Sequence, residues 1–347
     1  MIASLSVRGL NVSLVALAAA AGAIFAPVPE ARAQANPAIL QLFELNYRNQ
    51  ERRMPDIFMA GYGGLWHPPT SRPSDPASPG YDVFDRFDFG SHSSQTIYGD
   101  ETEFRASIEA YHRANVLYYL DIIMNHNSSR NGSSGFIAEG GYPGFYMNPP
   151  GPHNSGDDWG DFHDGSSQSE NPGGGNYNLF DGDLVSLIDI AQESNHQYIR
   201  HPVDPGDPLN LPAGTIRNQP DEDNTRFYPD LSLTPKTFFN PSGARNFTMY
   251  PFNAADPDAG DPVTDNTTGL LMRWTQMMVD VYHVDGFRLD AAKHIPQWFW
   301  NEFWDAAVFD RRITPSGGTA TPFSFVESVA DNGFTLTYTR KDGFGNR

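Results

Sequence analysis

The sequence predicts an α/β protein built on a parallel sheet or barrel, and three observations carry that expectation. Asp100 to Ala114 has a helical pattern and runs straight into Val116 to Met124 (VLYYLDIIM), an almost continuously apolar stretch typical of a strand covered on both faces. The same alternation returns far downstream, with Leu270 to Tyr282 as helix, Val284 to Leu289 as strand, Pro296 to Val308 as an aromatic-rich helix and Phe323 to Val326 as strand. Strand, helix and strand joined by short connections imply parallel pairing. Finally, three of the strands end abruptly in polar residues, at Asp121 to His126 (DIIMNH), Gly286 to His294 (GFRLDAAKH) and Phe323 to Ser328 (FSFVES).

Each element has its own local reason. Residues 38–45 (AILQLFEL) form a short apolar run suited to a buried strand, and 50–60 suit a helix that stops before Gly61. The strand 63–67 (GGLWH) is ended by Pro68-Pro69, which cannot continue a ladder. In the helix from Asp100, that aspartate is the expected N-cap and Glu103 takes the capping-box position, with Phe104, Ile108 and Tyr111 on one face. Pro296 can open a helix because its missing N–H has no partner to lose there. Between Asn127 and Thr268 the pattern breaks down into Gly, Pro, Asn, Asp and Ser, with short apolar pieces such as Leu184 to Ile190. A structureless loop of that length is improbable in a compact domain, so 127–268 is expected to be an inserted subdomain.

Composition narrows the function. The 347 residues carry 23 basic and 42 acidic side chains, a net charge of −19, and no Cys. Disulfides, thiolate nucleophiles and zinc–thiolate sites are therefore excluded. With no run of Lys or Arg, binding to nucleic acid or to an anionic membrane is not expected. Aromatics at 13% are too many for a disordered acidic chain. Arg8, the apolar run Leu14 to Ala26, Pro27, Pro29 and Ala31-Arg32-Ala33 read as an export leader over 1–33, cleaved after Ala33 or Ala35. The run is shorter than the roughly 20 residues a membrane span needs. An uncleaved anchor is the alternative; cleavage implies a secreted or periplasmic protein.

Strand C-termini in a parallel barrel or sheet share one rim, where ligands bind. Asp290 and Glu327 lie one strand-helix-strand unit apart and so become neighbours on that rim. Two carboxyls on one rim, one ionised and one protonated, are what glycoside hydrolysis requires. Arg288 stands two residues before Asp290, so on a strand both side chains point the same way and the guanidinium can hold Asp290 ionised. Taken singly, Arg288 with Asp290 also reads as a buried ion pair, Asp121 as a residue closing its strand, and Asn125 as a turn cap.

The three strand-end segments resemble, in order, the first three short signatures of the alpha-amylase family, family 13 of the glycoside hydrolases. Gly80-Tyr81-Asp82-Val83 resembles the segment after the second strand of that family. The resemblance implies a (β/α)8 TIM barrel, incomplete here with about five strands. Residues 36–126 would supply strands one to three, 127–268 the subdomain inserted after strand three, and 269–347 strands four and five. It implies Asp290 as nucleophile, Glu327 as acid and then base, and Arg288 orienting the nucleophile. Tyr81 and His126 would contact the sugar at the cleaved bond, and Lys293 and His294 the ring on the leaving side. The Lys-His pair and Ser78 in place of an Asp favour endo-action. A structural calcium ion would be held by Asn125, Asp189 and the carbonyl of His294, with Asp183 as a possible extra ligand.

The family's later signature, which supplies a third catalytic Asp, has no counterpart before Arg347; Phe334 to Tyr338 does not match it. The chain is therefore expected to be a piece of a longer product, inactive or nearly so by itself. The expected whole is an exported endo-acting alpha-amylase, monomeric, cleaving internal α-1,4 bonds of starch or glycogen with retention. Alternatives are a related transglycosylase, a maltooligosaccharide-forming enzyme, or a non-catalytic amylase-like protein that binds glucan.

Overall fold

The computed structural model describes residues 38–90, 95–129, 160–163, 167–193 and 266–339 apart from 298, together with 142, 144, 145 and the strands Tyr198–Arg200, Lys236–Phe239, Asn246–Met249 and Val263–Asp265. The leader expected over 1–33 lies outside the described residues. Among those described, no helix is long and apolar enough to cross a membrane.

Five strands form the central sheet: β1 (Ile39–Gln41), β2 (Gly64–His67), β3 (Leu117–Ile122), β4 (Gly286–Leu289) and β5 (Phe323–Val326). They lie side by side in sequence order, and every neighbouring pair is parallel. Sequential order without reversal is the winding of a β/α barrel, whereas a doubly wound sheet reverses at a switch point. The sheet is thus five strands of a (β/α)8 barrel, curled as a half-barrel.

The helices are α1 (Tyr47–Met59), α2 (Glu101–Arg113) and α3 (Thr267–Asp280). Each begins at a side-chain cap: Asn46 accepts from Asn49 N at 3.0 Å, Asp100 from Glu103 N at 2.9 Å and Asn266 from Gly269 N at 2.9 Å. The Asn46 cap starts α1 three residues before the expected position. On α2, Phe104, Ile108 and Tyr111 are buried, and the rings of Phe104 and Tyr111 meet Tyr118 of β3 at 6.1 and 6.0 Å. The helix expected at Pro296 to Val308 instead becomes a π-helical turn, Phe299–Trp304, running into the short helix Asp305–Val308. Its four aromatic rings, Phe299, Trp300, Phe303 and Trp304, are all buried.

Of the expected insert, the described part contains a four-stranded sheet, ordered His126–Ser129, Leu187–Asp189, Asp183–Leu184, Ser167–Gln168. Its first strand starts directly after β3, which ties it to the barrel rim.

Side chains alternate along each strand, and the inner face carries a layer of small, large and small residues. Gly286 (β4) is the register partner of Tyr119 (β3), and the Tyr119 ring also lies against Gly64 (β2), where a Cβ would meet it at 2.6 Å. A Cβ on Gly286 would lie 2.4 Å from the Phe323 carbonyl oxygen and 2.6 Å from the Tyr119 ring. The backbone contact cannot yield without separating β4 from β5. Gly286→Ala should therefore destabilise the protein by about 1–3 kcal/mol, the usual cost of overpacking, read as a lower Tm in thermal unfolding.

Candidate active site

The strand period of two puts Asp121 of β3, Arg288 of β4 and Phe325 of β5 on the inner face, since Arg288 is the register partner of both neighbours. Asp290 and Glu327 continue that face just past the strand ends, where Asp290 N still bonds Ile122 O at 3.2 Å and Glu327 N bonds Leu289 O at 2.9 Å. Arg288 gathers all three carboxyls. Its Nη1 lies 3.0 Å from Asp121 and also bonds Asp290, while Nη2 reaches Glu327 at 2.9 Å. Ala291 adopts a left-handed backbone (φ 48°), and its N–H donates to Glu327 at 3.2 Å. A non-glycine residue in that region is strained, and here the kink turns the chain at the strand end toward the second carboxyl.

Three carboxyls around one guanidinium leave excess negative charge in a sheltered place. Contrary to the expectation that Arg288 alone holds Asp290 ionised, burial, reinforced by Asp121, pushes Asp290 up to about 8 against the pull of Arg288. Burial likewise pushes Asp121 up to about 6, with Arg288 opposing. The cluster therefore holds a proton at neutral pH, and because the groups share one cation that proton belongs to the cluster as a unit. Such a rim can both present a carboxylate and deliver a proton.

The cluster opens into a cleft of about 250 Å³ whose walls include Tyr81, His126, Asp290, Lys293, His294 and Glu327, so the residues singled out by sequence converge there. Tyr81 donates from its hydroxyl to Asp121 at 2.8 Å; burial, then that carboxylate, keeps the phenol protonated. Burial, then the charge of Arg86, pulls His126 down to about 3. Its neutral ring faces the Tyr81 carbonyl at 3.1 Å through Nε2, which must therefore carry the hydrogen. His294 is pulled down to about 4 by burial and by Lys293. The Lys293 ammonium is engaged by the Glu170 carbonyl at 2.6 Å, the Val329 carbonyl at 3.2 Å and the Glu170 carboxylate at 3.3 Å.

Several residues of the site were not legible in the sequence. Asp121, which by sequence closes its strand, joins the cluster. Glu170, Leu184, Val185 and Leu187 come from the insert to line the cleft. Val185 is exposed and left-handed (φ 59°), an unfavourable conformation for a β-branched residue, at the tight turn between Leu184 and Leu187. No sequence signal marks such a position.

Two of the residues expected to hold calcium, Asn125 and Asp189, meet. His126 and Asp189 are cross-strand partners, which brings Asn125 beside Asp189, Nδ2 to Oδ1 at 2.8 Å. Asp189 is fully buried, accepts also from Gln168 Nε2 at 2.8 Å and Leu184 N at 3.1 Å, and burial pushes its carboxyl well above the usual range. Asn125 Oδ1 is buried without a hydrogen-bond partner. Among the described residues no three Asp, Glu or His side chains converge as a metal site. The expected donors are mixed, an amide oxygen, one carboxylate and a backbone carbonyl. An orphaned amide oxygen beside a buried carboxylate suits a hard divalent cation.

No family model matches the sequence. The chain is 31% identical over 103 residues to the cytoplasmic alpha-amylase of Escherichia coli, an alignment covering 26% of this chain and 21% of that protein. It is 25% identical over 119 residues to an alpha-amylase of Bacillus licheniformis, covering 31% and 23%. Among solved structures, an alpha-amylase from Malbranchea cinnamomea shares 16% identity at a TM-score of 0.48, over 87% of this chain and 50% of that one. The chain thus spans about half the length of that structure, and its alignments span about a fifth of the curated relatives. A parallel β/α half-barrel with a carboxylate cluster at its C-terminal rim is an arrangement compatible with glycoside hydrolysis. Over the matched segments the chain is similar to members of the alpha-amylase family.

The raised Asp290 has a consequence for stability. In the unfolded chain this carboxyl ionises near its ordinary value, whereas in the fold it holds its proton to about 8. Its contribution to stability is complete at low pH and is lost as pH rises through that interval. Asp290→Asn removes the penalty, so its Tm relative to wild type should climb between about pH 4 and 8 and level off above. A difference independent of pH would contradict the assignment.

Proposed function

We propose that this chain carries the nucleophile and acid/base half of an exported, endo-acting alpha-amylase that cleaves internal α-1,4 bonds of starch or glycogen with retention. The observation that supports this most directly is Arg288 binding Asp290 and Glu327 through adjacent nitrogens at the floor of a cleft also walled by Tyr81, His126, Lys293 and His294. The relatives named alpha-amylase agree with an α-glucan substrate.

In the proposed reaction an Asp290 carboxylate oxygen attacks the anomeric carbon as the glycosidic bond breaks. Glu327 gives its proton to the departing oxygen. Glu327 then takes a proton from water, whose oxygen displaces Asp290 and restores both carboxyls. Arg288 orients Asp290 and offsets its charge. Tyr81 stacks on the sugar ring, His126 bonds the same sugar as a neutral donor, and Lys293 and His294 flank the ring on the leaving side. Bound calcium would add a fixed charge tying the insert to the rim through Asn125, Asp189 and the His294 carbonyl.

Tested in a chain extended to a complete barrel, Glu327→Gln should lower starch hydrolysis by about 10²–10⁴-fold, the range for loss of a general acid, and Asp290→Asn should abolish it. The first sugar released from maltoheptaose, followed by NMR, should be the α-anomer; β-anomer, or unchanged turnover in either variant, would sink the proposal. Chelation should lower the Tm of the protein and added calcium restore it, whereas a Tm indifferent to both would refute the metal site.

A further inference from the structure

Arg86 is buried in the protein, yet no carboxylate among the described residues pairs with it. The two acidic residues nearest in sequence, Asp85 and Asp88, face Arg72 instead, at 3.6 and 2.7 Å. A buried unpaired guanidinium is costly, and burial pulls it down to about 9, still charged at neutral pH. Something in the fold must require it.

What surrounds it is the loop from Ile123 to Asn127. This loop leaves the sheet after β3, so its carbonyls must find donors elsewhere. Met124 O accepts from Gln192 Nε2 at 2.9 Å and Asn125 O from Ile190 N at 2.7 Å. Ile123 O and His126 O both accept from Arg86 Nη2, at 3.2 and 2.8 Å, while Nη1 binds Asn127 Oδ1. The rings of Phe145 and Trp274 lie 5.0 and 5.5 Å from the guanidinium carbon and stabilise the charge from their faces. Oxygen atoms converging on a caged positive charge form the surroundings of a cation, and here the cation is tethered to the chain.

The segment that tethers it also carries Tyr81. Tyr81 contacts both β3, through its hydroxyl to Asp121, and the loop, through its carbonyl to the His126 ring. We propose that Arg86 is a positioning residue of the cleft, a built-in cation that locks loop 123–127 to segment 81–86 and so fixes His126 and Tyr81 on the sugar-binding wall. This rests on the glycosidase reading above. Three acceptors shared between two terminal nitrogens need the guanidinium fork, which the single nitrogen of an ammonium cannot reproduce.

In a chain extended to a complete barrel, the test compares wild type with Arg86→Lys and Arg86→Met on maltoheptaose, with circular dichroism and Tm as checks on folding. Misplacing groups at the reacting sugar acts on kcat. Arg86→Lys, which retains charge and bulk, should stay folded, keep KM within about threefold and lose about tenfold or more in kcat. Arg86→Met should lose at least as much. Folded variants with wild-type kcat would show that Arg86 only fills space, and a loss confined to KM would likewise overturn the positioning role. If Arg86→Met does not fold, Arg86→Lys decides alone. Failure of the glycosidase reading is told apart because it shows without any substitution, as a wild type that neither cleaves nor binds maltoheptaose.

Discussion

One guanidinium organises the rim. Arg288 touches Asp121 of the third strand, Asp290 at the end of its own and Glu327 at the end of the fifth. Three adjacent strands are thereby pinned at the end where the ligand cleft opens. The arrangement is electrostatically unbalanced, with three carboxyls against one cation, and burial makes the imbalance felt as a retained proton. A site selected for stability alone would not crowd carboxyls in this way. Arg288 also lies over the faces of Trp66 and Tyr81, at 5.6 and 5.9 Å, so the same group joins the polar cluster to the apolar lining of the half-barrel.

Around that cluster, the strand ends supply the acids and the excursions between elements supply the walls. The inserted strands return to the rim as an antiparallel sheet, placing Asp189 opposite His126 and bringing the turn at Val185 to the cleft. The loop after β3 is held by side chains, Arg86 and Gln192, in place of a ladder. Strain is found here too, at Ala291 and Val185, where surrounding contacts over-determine the backbone.

Much of the fold was legible because its signals are local. The capping box at Asp100, the apolar run from Val116 and the polar strand ends each depend on residues within one turn or strand of one another. The same holds for Arg288 and Asp290, whose spacing of two fixes a common face. The π-helical turn at Phe299–Trp304 was not legible, because an aromatic cluster satisfies the pattern of an α-helix equally well and only the space beneath it selects the wider turn. Nor was the partnership of Asp121, since a strand-terminal aspartate has the same appearance whether it meets solvent, a backbone amide or an arginine from another strand.

The sequence by itself determined the order of the five sheet strands and their helices, and the two carboxyls and the arginine that belong together, because periodicity and short motifs are written in near neighbours. The tertiary structure alone decided which cation each carboxyl meets. Arg288 and Asp121 are 167 positions apart and adjacent only through strand register, while Arg86, flanked by two aspartates in sequence, binds neither. Charge pairing depends on distances of a few ångströms, and those are set by how strands and loops pack.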